Sequence, residues 1–133
     1  MDLEKLPQSS DTQVVELYLP DTEEPILDDS GVPFSVTIHG PYSSRYKEIT
    51  EKTQNRRLRM AQKSGRRLKV TAAEIRDEVE NRMIQCVEDW NIQLGGKKLP
   101  CTEENIRDIF SRYGWIRDQV YIAMEDSSSF LES

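Results

Sequence analysis

The sequence predicts an α+β fold that is mostly helical, with an N-terminal antiparallel β meander followed by about four helices. Two stretches before residue 40 alternate apolar and polar side chains with the period of two that is typical of strands. After residue 43 the apolar side chains recur every three or four residues, as in amphipathic helices. A chain of 133 residues has about the commonest size of one domain, so we expect a single domain over residues 14–126.

The predicted meander covers residues 14–40. Residues 1–13 mix proline, serine and charged side chains without an apolar period, so a flexible leader is expected there. A short strand around Ile26 and Leu27 would lie between the two longer strands, although the prolines near it favour turns. The apolar faces of the longer strands are predicted to be Val15, Leu17 and Leu19 in the first and Phe34, Val36 and Ile38 in the second.

Helices are predicted between residues 43 and 124. Ser43 or Ser44 can cap the first, which Gly65 is expected to end. Thr71 begins a Thr-Ala-Ala-Glu sequence with the spacing of a capping box, so a second helix should begin there and run to residue 90. Its buried stripe is predicted to be Ile75, Val79, Met83, Ile84, Val87 and Trp90.

Two further helices are predicted after a chain reversal at Gly95 and Gly96, where glycine accepts a positive φ. Thr102 is placed to cap the third helix, which Gly114 is expected to end, and the last helix covers residues 115–124. Residues 127–133 lack an apolar period and are expected to form a flexible tail.

Charge is distributed unevenly along the chain. The formal net charge is -6, yet residues 45–69 contain ten basic and two acidic side chains, so the flanks are strongly acidic. The basic surface predicted from this run comprises Arg56, Arg57, Arg59, Lys63, Arg66 and Arg67. Such a helix can bind phosphates, but the acidic net charge and the scarcity of aromatic side chains favour a solvated helix that complements acidic flanks of its own or a neighbouring subunit.

Few side chains are suited to catalysis. His39 is the only histidine, and it lies at the end of a predicted strand without a nucleophile grouped around it. Cys86 and Cys101 lack the spacing of a zinc site and fit reduced thiols in a cytoplasm. We therefore expect no catalytic residue, metal or cofactor, and no enzyme activity. No apolar run is long enough to predict a membrane span.

The first half of the chain carries HGPYSSRY and QNRRLR, and the second half carries CVEDWNIQL followed by GGKKLPCTEENIRDIFSRYGWIRDQVYIAMEDSSSF. The order of these features resembles the tail assembly chaperones of long-tailed bacteriophages. The likeness is closest from Trp90 to Phe130, and Cys101 and the dense basic run depart from it. The matching positions in that part are Trp90, Gly96, Leu99, Pro100, Thr102, Asn105, Trp115, Ile116, Gln119, Val120 and Phe130.

This resemblance implies a protein that binds the tape measure protein and keeps it soluble until the tail tube polymerises around it. The expected partners are the tape measure protein and, further, the tail tube protein, a frameshifted longer form of this chain and other copies of it. The resemblance places the protein in the host cytoplasm and outside the mature virion. The lack of a long apolar run predicts no membrane partner.

The residues expected to bind the client lie in the last helix and the tail: Trp115, Ile116, Val120, Met124 and Phe130. An amphipathic face left uncovered can accept a helical client, and Phe130, beyond the last periodic helix, is the expected exposed anchor. The alternative is that these side chains pack the interior of the domain, and for Ile116 and Val120 this alternative is favoured.

Two other functions remain open at this point. The chain could be a structural tail or connector component of the virion, in which its strands and helices would join a ring of identical subunits. It could also bind nucleic acid through the helix that carries the basic run. Presence in mature particles would support the first, and salt-sensitive binding to nucleic acid would support the second.

Overall fold

The structure is a computed structural model that describes residues 2–64, 71–126 and 130. Four α-helices and a three-stranded antiparallel sheet in this part of the chain confirm the α+β class. A short 3-10 helix, Leu3–Lys5, precedes them. The strands are β1 Thr12–Glu16, β2 Ser35–His39, β3 Val87–Trp90, β4 Gln93–Leu94 and β5 Lys97–Lys98; the helices are α1 Ser44–Ser64, α2 Ala72–Cys86, α3 Glu103–Arg112 and α4 Gly114–Glu125.

The sheet has the order β1-β2-β3, and both pairings are antiparallel. Val36 of the central strand lies opposite Val15 on one side and opposite Trp90 on the other. The short strand expected around residues 26 and 27 does not form; isolated bridges join Tyr18 to Pro25 and Leu27 to Pro33 instead. Prolines cannot donate to a ladder, so this segment remains an irregular turn.

The second helix ends earlier than the sequence predicts. It ends at Cys86, and Val87–Trp90 forms the third strand of the sheet. The prediction of a helix through residue 90 is therefore wrong. Apolar side chains spaced three or four residues apart suit a helix, but this spacing does not exclude a strand that pairs with the open edge of β2. In the strand, Trp90 Nε1 donates to Leu99 O at 2.7 Å.

The predicted helix starts are confirmed. Ser43 Oγ accepts from Tyr46 N at 3.1 Å, and Thr71 and Thr102 cap α2 and α3 in the same way. The short β4–β5 hairpin turns at Gly95 and Gly96, whose φ angles of 63° and 80° are those for which glycine was expected. Gly114, expected to end the third helix, is instead the first residue of α4, because Tyr113 alone separates the two helices.

The boundaries at both ends also shift. The first strand begins at Thr12, two residues before the predicted start of the domain, because it pairs with β2 along its whole length as far as His39. In the predicted tail, Phe130 is buried, whereas residues 127–129 and 131–133 lie outside the described part of the chain. Phe130 is thus held against the domain, whereas residues 2–9 are exposed.

One hydrophobic core joins the sheet to α2, α3 and α4. The buried side chains are Leu17, Val36, Ile38, Ile49, Met83, Ile84, Cys86, Trp90, Ile92, Ile106, Ile109, Phe110, Ile116, Val120, Met124 and Phe130. Two predicted core positions lie outside it: Leu19 is 40% exposed and Ile75 is 49% exposed. Residues 50–63 of α1 and 72–78 of α2 contribute no buried residue, so these parts of the two helices lie outside the core.

Candidate functional site

Four of the five residues expected to bind a client are core residues. Ile116, Val120, Met124 and Phe130 are at most 5% exposed, and Trp115 alone is half-buried. The prediction of an exposed face made of these residues is therefore wrong, because the apolar side of α4 packs against the rest of the domain. The alternative, that Ile116 and Val120 pack the interior, is confirmed.

Phe130 is not an exposed anchor. Its side chain is fully buried, and its carbonyl oxygen accepts a hydrogen bond from Ser10 N. Its ring lies directly over Gly40, at the end of β2. An aromatic side chain outside a helical period can still complete a core when the chain folds back onto the sheet, and this return is not encoded in any local pattern.

An apolar cleft of about 230 Å³ opens beside Trp115. Its floor is made by buried Ile92, Ile109 and Ile116, and its rim carries Leu19 and Leu94, which are 40% and 42% exposed. The remaining lining residues are Ile26, Phe34, Gln93, Tyr113 and Trp115. Of the residues expected to bind a client, Trp115 and Ile116 line this cleft, whereas Val120, Met124 and Phe130 do not.

Three separate parts of the chain position the cleft walls. The hairpin of β4 and β5 presents Leu94 immediately before its glycine turn. The turn after β1 presents Leu19, whose amide donates to Glu24 O at 2.8 Å. Trp115 stands at the start of α4 with its ring edge-on to Tyr113, at a centroid distance of 6.2 Å and an interplanar angle of 82°.

The cleft is suited to binding and not to proton transfer. Its lining contains no carboxylate, imidazole, thiol, amine or guanidinium group. The polar side-chain groups of its lining residues are the amide of Gln93, the hydroxyl of Tyr113 and the indole N–H of Trp115, and Gln93 Oε1 already accepts from Asp29 N at 3.2 Å. Such a surface can accept one large apolar side chain and can offer it little besides the removal of apolar area from water.

The basic run divides between paired and unpaired side chains. Glu78, on α2, accepts two hydrogen bonds from the guanidinium of Arg57 and lies 3.6 Å from Arg56. Arg59 and Lys63 are exposed and have no carboxylate partner within the described residues. The other two residues of the predicted basic surface, Arg66 and Arg67, lie outside the described residues.

The thiols are not poised for reaction. Burial raises the pKa of the Cys86 thiol to about 11, although Arg45 and Arg82 oppose the shift. Burial, followed by the nearby carboxylate of Asp89, raises the pKa of Cys101 to about 11. Because the thiolate is the reactive form, both groups are poor nucleophiles near neutral pH.

Other groups also lack the arrangement of a chemical site. His39 is the last residue of β2 and is half-buried. Residues 2–64 and 71–126 contain no cluster of three or more His, Cys, Asp or Glu side chains able to hold a metal ion. In the same ranges, no helix combines the length and apolar character needed to cross a membrane.

A polar groove of about 620 Å³ lies between α1 and α2. Arg45 spans it and donates to Gln85 Oε1 at 2.9 Å, and near the same groove Arg107 donates to Glu103 at 3.0 Å, which lowers the pKa of that carboxyl group. The bond between Arg45 and Gln85 therefore joins α1 to α2 across the groove.

Comparisons of the chain with protein-family models, with curated proteins and with solved structures find no match.

Sequence reasoning missed most of the cleft. Leu19, Ile26, Phe34, Leu94 and Tyr113 were assigned to strand faces, a hairpin or a helix face, each within its own segment. One local signal was available in the sequence. Leu19 and Leu94 are apolar, yet each stands directly before turn residues, where a strand or helix is least expected to bury it. Their meeting beside Trp115 depends on tertiary packing.

Proposed function

We propose that this protein is a tail assembly chaperone that binds the tape measure protein of a long-tailed bacteriophage and keeps it soluble until the tail tube polymerises. The observation that carries the proposal is the apolar cleft beside Trp115, which stays open while the rest of the apolar face of α4 is sealed. The resemblance in the second half of the sequence supplies the identity of the client. We therefore propose that the client binds in this cleft, and not on the apolar face of α4, which is buried.

In this proposal an amphipathic helix of the tape measure protein inserts one large apolar side chain between Leu19, Leu94 and Trp115. Helices bind grooves through such anchors at intervals along one face. Burying one Leu, Ile or Phe side chain stabilises a complex by about 1.5–3 kcal/mol before the entropy of association is counted. Each copy therefore binds weakly, and many copies along one long client are needed to keep it soluble.

Weak single contacts suit the expected course of assembly. Tube subunits that polymerise along the tape measure protein would displace the chaperone copies one at a time, because each dissociates readily. The protein then performs no reaction, acts in the host cytoplasm and leaves before the virion matures. A frameshifted longer form could link the coat of copies to the tail tube protein.

The test is co-expression with the tape measure protein encoded in the same genome, followed by capture on a tag carried by that client. Leu94→Asp and Leu19→Asp place a charge on the exposed rim of the cleft, where neither residue supports the core. Capture is expected to fall strongly for both. The matched control is Ile122→Asp, on the side of α4 away from the cleft and 68% exposed, which is expected to leave capture unchanged.

Two outcomes would contradict the proposal. Equal capture of the rim variants and the control would mean that the cleft does not hold the client. Recovery of the protein from purified mature particles in stoichiometric amounts would favour a structural tail or connector component.

Binding of nucleic acid is the second candidate, and it is favoured by Arg59 and Lys63, which are exposed and have no carboxylate partner in residues 2–64 and 71–126. Salt-dependent binding to a duplex, lost in the double variant Arg59→Gln and Lys63→Gln, would support it. Absence of any salt-sensitive gel shift with duplex or single strands would exclude it.

A further inference from the structure

We propose that this protein self-associates head to tail, with a basic stripe on α1 of one copy bound to an acidic turn of the next copy. The acidic turn comprises Asp21, Glu23 and Glu24, between β1 and β2. The inference does not rest on the proposed chaperone function and needs no client, although Leu19 lies both on the rim of the apolar cleft and beside the acidic turn.

The basic stripe lies on the exposed side of α1. It comprises Lys52, Arg56, Arg59, Met60 and Lys63, which together line a shallow depression of about 590 Å³. The opposite side of this part of the helix, at positions 53, 57 and 61, is half-buried, and Arg57 there pairs with Glu78 of α2. Arg59, Met60 and Lys63 thus face away from α2, whereas Lys52 and Arg56 also line the groove between the two helices.

The C-terminal part of the stripe places two basic side chains on either side of an exposed methionine. Lys52 and Arg56 already lie 3.1 Å from Glu48 and 3.6 Å from Glu78. Arg59 and Lys63 have no such carboxylate among the described residues, and Met60 between them is 51% exposed. A partner for this face therefore needs acidic groups beside a small apolar surface.

The acidic turn has these properties. Asp21, Glu23 and Glu24 are all exposed, and none forms an ion pair with a basic side chain of residues 2–64 or 71–126. Beside them is a second shallow depression, of about 450 Å³, which could receive the Met60 side chain of another copy. It is lined by Tyr18, Leu19, Pro20, Glu23 and Gln119.

The turn is held in place before any partner arrives. The side chain of Gln119, on α4, forms two hydrogen bonds with the backbone of Tyr18: it accepts from Tyr18 N at 2.9 Å and donates to Tyr18 O at 2.7 Å. Leu19 N donates to Glu24 O at 2.8 Å, and Glu23 N donates to Leu19 O at 3.1 Å. Because the carboxylates are presented on a fixed turn, docking costs little conformational entropy.

The two surfaces consist of different residues, so the contact is heterologous. Such contacts extend into open chains or close into rings, depending on the rotation between copies. Exposed ion pairs contribute little each and are screened by salt. The association is therefore expected to be weak, concentration-dependent and lost at high ionic strength.

Sedimentation velocity of the purified full chain over a concentration series tests this. In about 0.05 M salt the mean mass is expected to rise with concentration, and in about 0.5 M salt it is expected to return towards the monomer mass of 15.5 kDa. A stripe variant, Arg59→Glu with Lys63→Glu, and a turn variant, Glu23→Lys with Glu24→Lys, should each remain monomeric. Circular dichroism checks that both keep their fold, since all four positions are exposed.

Mixing the variants gives the decisive result. Each variant retains one intact surface, and the reversed stripe of one is complementary in charge to the reversed turn of the other. An equimolar mixture should therefore associate as the unaltered chain does, although neither variant associates alone. A chain carrying all four substitutions should self-associate again. The control Lys97→Glu with Lys98→Glu changes the net charge as much as the stripe variant does but lies on the β4–β5 hairpin, and it should associate like the unaltered chain.

Three results would overturn the proposal. The first is an unaltered chain that stays monomeric at every concentration in low salt. The second is association that persists in either single-surface variant or is equally lost in the control. The third is a stripe that binds a duplex oligonucleotide while the chain itself stays monomeric, which would make nucleic acid the occupant of the stripe.

Discussion

The ring of Phe130 covers Gly40 so closely that a Cβ atom at Gly40 would lie 2.3 Å from Cδ1 of the ring. Gly40 does not have a positive φ, so the requirement for glycine there is one of space. Phe130 is fully buried and its carbonyl oxygen accepts from Ser10 N, so this residue contacts both the segment before β1 and the end of β2.

Replacement of Phe130 by Ala is expected to lower the free energy of unfolding by about 3–5 kcal/mol, the usual cost of removing a buried phenylalanine. Gly40→Ala should cost about 1–3 kcal/mol, because the ring must move. The double variant should cost clearly less than the sum, since the space left by the ring accepts the new methyl group. Urea denaturation of the three variants measures this, and strict additivity would show that the two residues do not contact.

The bond between Glu78 and Arg57 is expected to hold α1 against α2. Glu78→Gln should weaken the pairing by about 1 kcal/mol, because the hydrogen bonds from Arg57 lose their charged acceptor and the ion pair with Arg56 is removed. Amide hydrogen exchange within residues 52–63 should accelerate accordingly. Glu48→Gln, which breaks an exposed pair with Lys52 in the same helix, is the control and should change exchange less. Equal changes in exchange for Glu78→Gln and Glu48→Gln would mean that the contact between Glu78 and Arg57 does not stabilise the packing of α1 against α2.

The buried thiol of Cys86 predicts a loss of stability in base. Its pKa is raised to about 11 in the folded protein, from an ordinary value of 9.0. Below pH 9 both states are protonated and stability is unaffected; between pH 9 and 11 the unfolded thiol ionises first, so stability falls. Urea midpoints at about pH 8 and about pH 10.5 should therefore diverge less in Cys86→Ala than in the unaltered chain. An identical pH dependence in both would contradict the burial of this thiol.

The features that the sequence predicted well are those set within a few residues. Ser43, Thr71 and Thr102 cap their helices as expected, because a cap needs only a side-chain oxygen and an amide three residues later. The alternation at Val36 and Ile38 likewise predicted their burial. In each case the cause and the structure lie in the same segment.

The features that it missed depend on distant partners. The sequence predicted Trp90 to lie on the apolar face of a helix. Residues 87–90 form a strand instead, because they pair with the open edge of β2, about fifty residues earlier in the chain. Phe130 lacks any period and is buried by its contact with Gly40. The cleft brings together Leu19, Leu94 and Trp115 from three segments, so the positions of Leu19 and Leu94 before turns could not show that these side chains meet.

Fluorescence of Trp115 tests the proposed client site most directly. Trp90 is buried, so Trp90→Phe leaves Trp115 as the only tryptophan while keeping an aromatic ring in the core. Tryptophan-free helical segments of the tape measure protein from the same genome would be titrated into this variant, with binding followed in parallel by calorimetry. A blue shift of the emission that saturates with the calorimetric isotherm is the predicted result. Binding that leaves the emission of Trp115 unchanged, or no binding by any segment, would contradict the assignment of the cleft.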